Sequence, residues 1–197
     1  MPSGEPTTRD RLLDAALACI ARYGIGKTTL DDVAREARCS RATLYRCFAG
    51  KDALFQAAAN REWQRVHDRI VGVADGADSF EDALVWAITA FRSEFERHAA
   101  LCFVLAHEPE IVLPLVSFEA CNTVFDGGAT LVADVAERFV DRDDAIRLGE
   151  WLTRLVVSCL MSPSDAFTLS DPSAIRRLVA EFVLPSVDVA SHTTLRG

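Results

Sequence analysis

The sequence lacks the features that direct a chain out of the cytoplasm or into a membrane. No apolar segment preceded by positive charge lies near the N-terminus, and apolar runs are interrupted before they reach the roughly 18 residues of a membrane span. The six cysteines are scattered and include no C-x-x-C pair, so nothing indicates a disulfide framework. We therefore expect a cytoplasmic globular protein without a membrane partner, in which most cysteines are buried thiols.

Motifs of catalysis and of metal or cofactor binding are also missing. The four histidines, at positions 67, 98, 107 and 192, are widely spaced, and none lies in an H-x3-H or H-E-x-x-H pattern. The glycine-rich segments GVADGAD and DGGA lack the partner residues of a phosphate-binding loop, and no G-x-S-x-G occurs. We predict no enzymatic activity, no cofactor and no metal.

The segment from Lys27 to Leu54, KTTLDDVAREARCSRATLYRCFAGKDAL, predicts two short helices joined by a tight turn. The first has an apolar face and Thr29 as its N-cap; the second has Ser40 as its N-cap and is anchored by Leu44 and Phe48. The unanchored side of the second helix presents small, hydroxylated and cationic residues, namely Arg41, Ala42, Thr43, Tyr45 and Arg46. This pattern is typical of a helix-turn-helix that inserts its second helix into the DNA major groove.

The charge distribution is compatible with DNA binding, although the whole chain has a net charge of −8. Residues 1–70 contain 12 Lys and Arg against 9 Asp and Glu, whereas residues 71–197 contain 9 against 20. Between Arg35 and Lys51 there are five basic residues and one acidic residue. This local patch is either a DNA-binding surface or a solvated helix face, and the helix-turn-helix pattern favours the first interpretation.

The order T-T, V-A, S-x-x-T-L-Y-x-x-F and K-x-x-L resembles the DNA-binding domain of the TetR family of bacterial transcriptional regulators. The resemblance runs from about Arg11 to Leu54 and implies phosphate contacts for Tyr45 and Lys51. Two positions depart from the family pattern. Arg38 replaces the usual glycine of the turn, so a non-glycine residue is expected to be left-handed there. Cys47 replaces the usual histidine.

The rest of the chain predicts helices only. A first helix is expected to be capped by Thr8 and closed at Tyr23-Gly24 after a disordered lead-in of residues 1–6, and a long fourth helix to run from Lys51 to about Val73. Five more segments are predicted as helices, namely 80–98, 100–107, 110–140 with a weak point at Gly127-Gly128, 143–161 and 172–183. We therefore predict an all-α fold with a helix-turn-helix domain over 1–54, ordered from about residue 8, and a ligand-binding and dimerisation domain over 55–197.

Two features of the C-terminal region suggest its roles. The segment LTRLVVSCLM and the stripe Ile175, Leu178, Val179, Phe182 and Val183 are too apolar for a free surface; they are either protomer core or, as the resemblance implies, a homodimer interface. Nine of the eleven phenylalanines lie after residue 79. These phenylalanines are either core residues or, taken as a set, the lining of a ligand cavity that also contains a few polar groups. The resemblance implies the second interpretation. The candidate ligand-binding residues are Phe91, Phe95, Phe103, His107, Phe118, Asn122, Phe125, Trp151 and Arg154.

Taken together, these observations favour a homodimeric DNA-binding regulator, a repressor released from a palindromic operator by an apolar small molecule. Its candidate DNA-binding residues are Thr29, Ser40, Arg41, Ala42, Thr43, Tyr45, Arg46 and Lys51. The alternative is a helical carrier or enzyme whose basic N-terminal patch is incidental, and sequence-dependent DNA binding discriminates between the two.

Overall fold

The computed structural model describes residues 6–117, 122–162, 165, 168–169 and 171–186, and in that part of the chain the regular structure is helical, which confirms the all-α prediction. The helices are α1 Thr8–Lys27, α2 Leu30–Glu36, α3 Arg41–Cys47, α4 Lys51–Ala74, α5 Phe80–Arg97, α6 Ala99–His107, α7 Pro109–Val116, α8 Asn122–Ala136, α9 Arg142–Met161 and α10 Pro172–Leu178. A π-helical turn, Val179–Val183, and a 3-10 turn, Leu184–Ser186, extend α10. None of these helices is both long and apolar enough to cross a membrane. Residues 1–5 of the predicted lead-in lie outside the described residues.

The chain packs as two compact units, each made of two segments. The N-terminal unit comprises residues 1–65 and 95–113, and the C-terminal unit comprises 66–94 and 114–197. Helix α6 is therefore a member of the N-terminal unit, although the chain reaches it from the C-terminal unit. The predicted functional division into 1–54 and 55–197 remains a prediction.

The core of the N-terminal unit joins α1, α2, α3 and the first half of α4, with Leu12, Val33, Leu44, Phe48 and Leu54 among its buried members. A second cluster attaches α6 and α7 to the end of α1 through Ile20, Ala100, Val104 and Val112. The N-cap of α1 is Thr7, and the prediction of Thr8 was wrong by one residue. Thr7 forms a reciprocal capping box with Asp10, which satisfies the first amide groups of the helix.

The prediction that failed most clearly is a single helix over residues 110–140. The structure has two helices there, α7 and α8, and residues 118–121 lie outside the described part. Apolar periodicity alone does not mark this boundary, because both helices are strongly apolar and Pro114 lies inside α7.

Gly127-Gly128 was also predicted wrongly as a weak point, since α8 passes through both residues. A Cβ atom at Gly128 would lie 2.1 Å from Thr153 Oγ1, and one at Gly149 would lie 2.8 Å from the Cα of Ala129. The glycines therefore allow the backbones of α8 and α9 to approach closely.

The apolar stripe at the end of the chain lies mostly inside its own protomer. Ile175, Leu178, Val179 and Val183 are buried in one cluster with residues of α5, α8 and α9. Phe182 differs, because 49% of its surface is exposed. The core interpretation therefore holds for four of the five stripe residues.

Candidate nucleic-acid interface

The turn between α2 and α3 has the geometry that the sequence predicted. Arg38 adopts a left-handed conformation with φ 53°. The amide of Arg38 donates to the carbonyl of Arg35 at 3.1 Å, and the amide of Cys39 donates to the carbonyl of Ala34 at 2.9 Å. This pair of bonds is a Schellman motif, which closes α2 and redirects the chain into α3 at the cost of placing a non-glycine residue in a left-handed conformation.

Helix α3 has one anchored face and one free face. Leu44 is 1% exposed and Phe48 is buried beside it, whereas Tyr45 is 57% exposed and Ala42 and Arg46 are also exposed. Ser40 caps the helix as predicted, because its Oγ accepts the amide of Thr43 at 3.1 Å. The hydroxyls of Ser40 and Thr43 lie 2.9 Å apart. The exposed face of α3 therefore combines a phenol, a methyl group and guanidinium groups, which suit contacts to phosphates and base edges.

Acidic residues of α2 pair with some of the cations in this patch. Arg41 donates to the carboxylate of Asp31, and Arg35 lies 3.1 Å from Asp32. Thr29 caps α2, and hydrogen bonds from its hydroxyl and its amide lower the pKa of Asp32. Arg41, one of the predicted DNA-binding residues, is thus ion-paired with Asp31.

Arg9 supports the end of α3 and was not identified from the sequence. Its guanidinium lies 4.3 Å from the centroid of the Phe48 ring and donates to the carbonyl of Cys47 at 3.1 Å. A cation is favourable at a helix C-terminus and over an aromatic face. Arg9 therefore fixes the last turn of α3 from a position 38 residues earlier in the chain.

Lys51 begins α4 and contacts the last turn of α1. Its Nζ donates to the carbonyl of Gly26 at 3.2 Å and lies 5.4 Å from the centroid of the Phe55 ring. An ammonium group has three donors, so this bond leaves capacity for a phosphate oxygen.

The predicted ligand-binding residues are divided between the two units. Phe95, Phe103 and His107 belong to the N-terminal unit, where Phe103 and His107 stack with ring centroids 4.4 Å apart. His107 is exposed, and its Nδ1 lies 3.0 Å from the carbonyl of Phe103. Phe118 and the side chain of Asn122 lie outside the described residues.

Phe91, Phe125, Trp151 and Arg154 belong to the C-terminal unit. The guanidinium of Arg154 lies 4.1 Å from the centroid of the buried Phe125 ring and is 2.7 Å from Glu150. Phe91 packs against the core of the unit, whereas Trp151 is 44% exposed. The structure thus brings Phe125 and Arg154 together and places Trp151 on the outer surface of its unit. Within the described residues, no group of three or more His, Cys, Asp or Glu is arranged to hold a metal ion.

Comparison with known proteins identifies the family of this chain. The family model described as "Bacterial regulatory proteins, tetR family" matches residues 12–58. The HTH-type transcriptional regulator Rv1255c of Mycobacterium tuberculosis (strain ATCC 25618 / H37Rv) is 31% identical over 189 residues, which are 92% of this chain and 86% of that protein.

Two solved structures show the same fold at low sequence identity. The TetR family repressor AlkX from Dietzia sp. strain DQ12-45-1b, implicated in biodegradation of n-alkanes, aligns with a TM-score of 0.65 at 20% identity and covers 90% of this chain and 96% of its own. The fatty acid degradation regulator FadR from Bacillus halodurans aligns with a TM-score of 0.63 at 16% identity and covers 93% and 99%.

Proposed function

This chain belongs to the tetR family of bacterial regulatory proteins and is a DNA-binding transcriptional regulator; from this premise we propose that it is a homodimeric repressor released from a palindromic operator by an apolar small molecule. The exposed face of α3 is the observation that supports this proposal, because Tyr45 and Arg46 are exposed there whereas Leu44, which anchors the helix, is buried. Two copies of α3 would enter successive major grooves about 34 Å apart. Ligand bound in the C-terminal unit would favour a conformation in which this spacing no longer matches the operator.

A pair of matched arginine variants tests the DNA interface. Arg46 and Arg147 are both exposed and each bonds a residue three positions earlier, Thr43 and Asp144 respectively. We expect Arg46→Ala to weaken binding to the promoter region beside the protein's own gene in a gel shift, whereas Arg147→Ala should not. If the unmodified protein shows no sequence-dependent binding at moderate salt, the carrier or enzyme alternative is favoured.

Tyr45 provides a second test, because a phosphate contact positions the protein without reading sequence. Tyr45→Phe should weaken operator and random-sequence DNA alike and leave the salt dependence unchanged, since no charge is lost. A change in base preference at one operator position would contradict the phosphate assignment.

The homodimer proposal rests on large apolar side chains that remain exposed on α9 and in the turn after α10, namely Ile146, Trp151, Met161 and Phe182. Leu178 does not offer a clean test, since it is buried within its own protomer and a charge there would disrupt the core. We expect Phe182→Asp to shift the protein to monomers in sedimentation velocity. Val73→Asp, at an apolar residue of α4 that is 43% exposed, is the control.

The proposed ligand is neutral and apolar, or an acyl chain with an exposed head group. An anionic ligand would need a cation such as Arg92 or Arg154 as its partner. Both bond to protein groups: Arg92 to the carbonyl of Leu169 and Arg154 to Glu150. An anion would have to displace these partners. Thermal-shift screening with alkanes, acyl chains and hydrophobic drugs tests the proposal, because a ligand at a hundred times its dissociation constant stabilises a protein by about 2.7 kcal/mol. An unchanged melting temperature with all of these compounds would count against it.

A further inference from the structure

The end of α1 contains a backbone site that is filled by a side chain from a distant part of the chain. Gly24 has φ 82° and ψ 171°, which interrupts the helix. The next two amides both point at the carboxylate of Glu108: Ile25 N lies 2.6 Å from Oε2 and Gly26 N lies 2.9 Å from Oε1. We call this arrangement of Gly24, Ile25, Gly26 and Glu108 the carboxylate clamp.

Both glycines let the backbone come close to the carboxylate of Glu108. A Cβ atom at Gly24 would lie 2.6 Å from Glu108 Cδ, and its positive φ is one that other residues rarely adopt. A Cβ atom at Gly26 would lie 3.0 Å from Glu108 Oε1. A side chain at Gly24 is therefore disfavoured by both the carboxylate and the backbone conformation, whereas a methyl group at Gly26 would displace the carboxylate by a few tenths of an ångström.

Glu108 is itself held firmly. It is the C-cap of α6, and its amide donates to the carbonyl of Val104 at 2.8 Å. Val104 belongs to the buried cluster that packs α6 against Ile20 of α1. The carboxylate is therefore presented to the glycine segment by a packed helix and not by a free loop.

The clamp is connected to the proposed DNA interface through a single residue. Glu108 binds the amide of Gly26, while the carbonyl of Gly26 accepts the hydrogen bond from Lys51 Nζ at 3.2 Å. Three residues after Gly26, Thr29 caps α2. Fixing the backbone at Gly26 therefore fixes both the direction of the Lys51 ammonium and the start of the helix-turn-helix.

We propose that Glu108 is a positioning residue for DNA binding, which orients Lys51 toward the phosphate backbone by clamping the amides of Ile25 and Gly26. This inference rests on the proposed phosphate contact of Lys51.

A double-mutant cycle with random-sequence duplex DNA tests the proposal, because phosphate contacts do not require the operator. We expect Glu108→Gln, which keeps the shape but replaces one acceptor by a donor, to weaken binding about five- to tenfold. In a Lys51→Met background the same change should have little further effect, because both residues act through one contact. Additive effects of the two variants would overturn the proposal and leave Glu108 with a purely structural role. Glu110→Gln, an exposed glutamate two residues later, is the control.

Hydrogen exchange gives a readout that does not depend on DNA. The amides of Ile25 and Gly26 should lose protection in Glu108→Gln but keep it in Glu110→Gln; unchanged protection would show that the clamp does not form. If the amides are protected but the unmodified protein does not bind duplex DNA, the proposed function is contradicted, while the hydrogen bonds of the carboxylate clamp are still supported.

A milder variant covers the case in which Glu108→Gln does not fold. Gly26→Ala displaces the carboxylate by a few tenths of an ångström without removing its charge, and Gly72→Ala, whose Cβ would meet no atom within 4 Å, is its control. Gly26→Ala should lower DNA affinity in the same direction, and affinity equal to that of the control would contradict the positioning role.

Discussion

The guanidinium of Arg41, the first residue of α3, donates a hydrogen bond to the carboxylate of Asp31 in the first turn of α2. Both side chains are partly exposed, so this ion pair contributes at most about 1 kcal/mol. A phosphate or a guanine edge can therefore compete with Asp31 for the arginine. If Arg41 contacts DNA as we propose, the ion pair with Asp31 would lower its affinity for phosphates of any sequence.

We predict that Asp31→Asn strengthens binding to random-sequence DNA by roughly three- to tenfold at low salt, because Arg41 is released and one negative charge is removed. Fluorescence anisotropy over a salt series measures this change. Asp52→Asn, in the first turn of α4, removes the same charge without this arginine partner and is the control. An equal effect of both variants would mean that net charge alone determines the affinity.

Arg9 should stabilise the N-terminal unit through Phe48 and the carbonyl of Cys47. We expect Arg9→Ala to lower the free energy of unfolding by about 1–2 kcal/mol, from the loss of a cation over an aromatic ring and at a helix C-terminus. Urea denaturation measures the change, and Arg11→Ala is the control, since Arg11 bonds only locally to Thr8 among the contacts of the described residues. Equal losses for the two variants would show that the contact with Phe48 contributes nothing.

Arg176 connects α10 to α5 by hydrogen bonds to Asp82 at 2.6 Å and Glu81 at 2.9 Å. The bond from Arg176, together with one from Ser79, lowers the pKa of Asp82. A carboxyl group whose pKa is lower in the folded protein than in the unfolded chain stabilises the fold at pH values above its pKa in the unfolded chain, which is near 3.9. This stabilisation is lost as the pH falls through the pKa that the group has in the folded protein.

We therefore predict that Asp82→Asn is less stable than the natural protein at pH 7 and that the two proteins converge as the pH falls below about 4. Urea denaturation between pH 7 and about pH 3 measures both curves. Asp126→Asn, at an exposed carboxylate of α8, controls for the change in net charge. A stability difference that is constant with pH would rule out the ion pair as its source.

The sequence was most informative where local chemistry determines structure. Thr29 and Ser40 cap the helices that their spacing predicted, Leu44 and Phe48 anchor α3, and Arg38 takes the left-handed conformation of the turn. Each of these outcomes depends on residues within one or two helical turns, which are readable along the chain.

Contacts between distant segments could not be predicted in the same way. Glu108 lies more than 80 residues from Ile25, and nothing in the spacing of either segment indicates their contact. Arg9 is similarly remote from Cys47. The glycine of Tyr23-Gly24 predicted the end of a helix, but whether such a glycine serves a turn or a close approach depends on what packs against it.

The contact between Gly128 and Thr153 gives a final prediction about the C-terminal unit. A Cβ atom at Gly128 would lie 2.1 Å from Thr153 Oγ1, 2.5 Å from Cγ2 and 2.8 Å from Cβ, so the clash includes an atom fixed to the backbone of α9. We expect Gly128→Ala to destabilise the unit by about 1–3 kcal/mol or more. Gly72→Ala, in α4, should instead stabilise the protein by about 0.5–1 kcal/mol, because its Cβ meets open space and alanine favours the helix. Thr153→Ala removes two of the three clashing atoms and should partly restore the stability of Gly128→Ala in a double-mutant cycle followed by thermal denaturation. If Gly128→Ala is as stable as Gly72→Ala, α8 and α9 do not pack at the distance described, and the glycine is only the weak point that the sequence suggested.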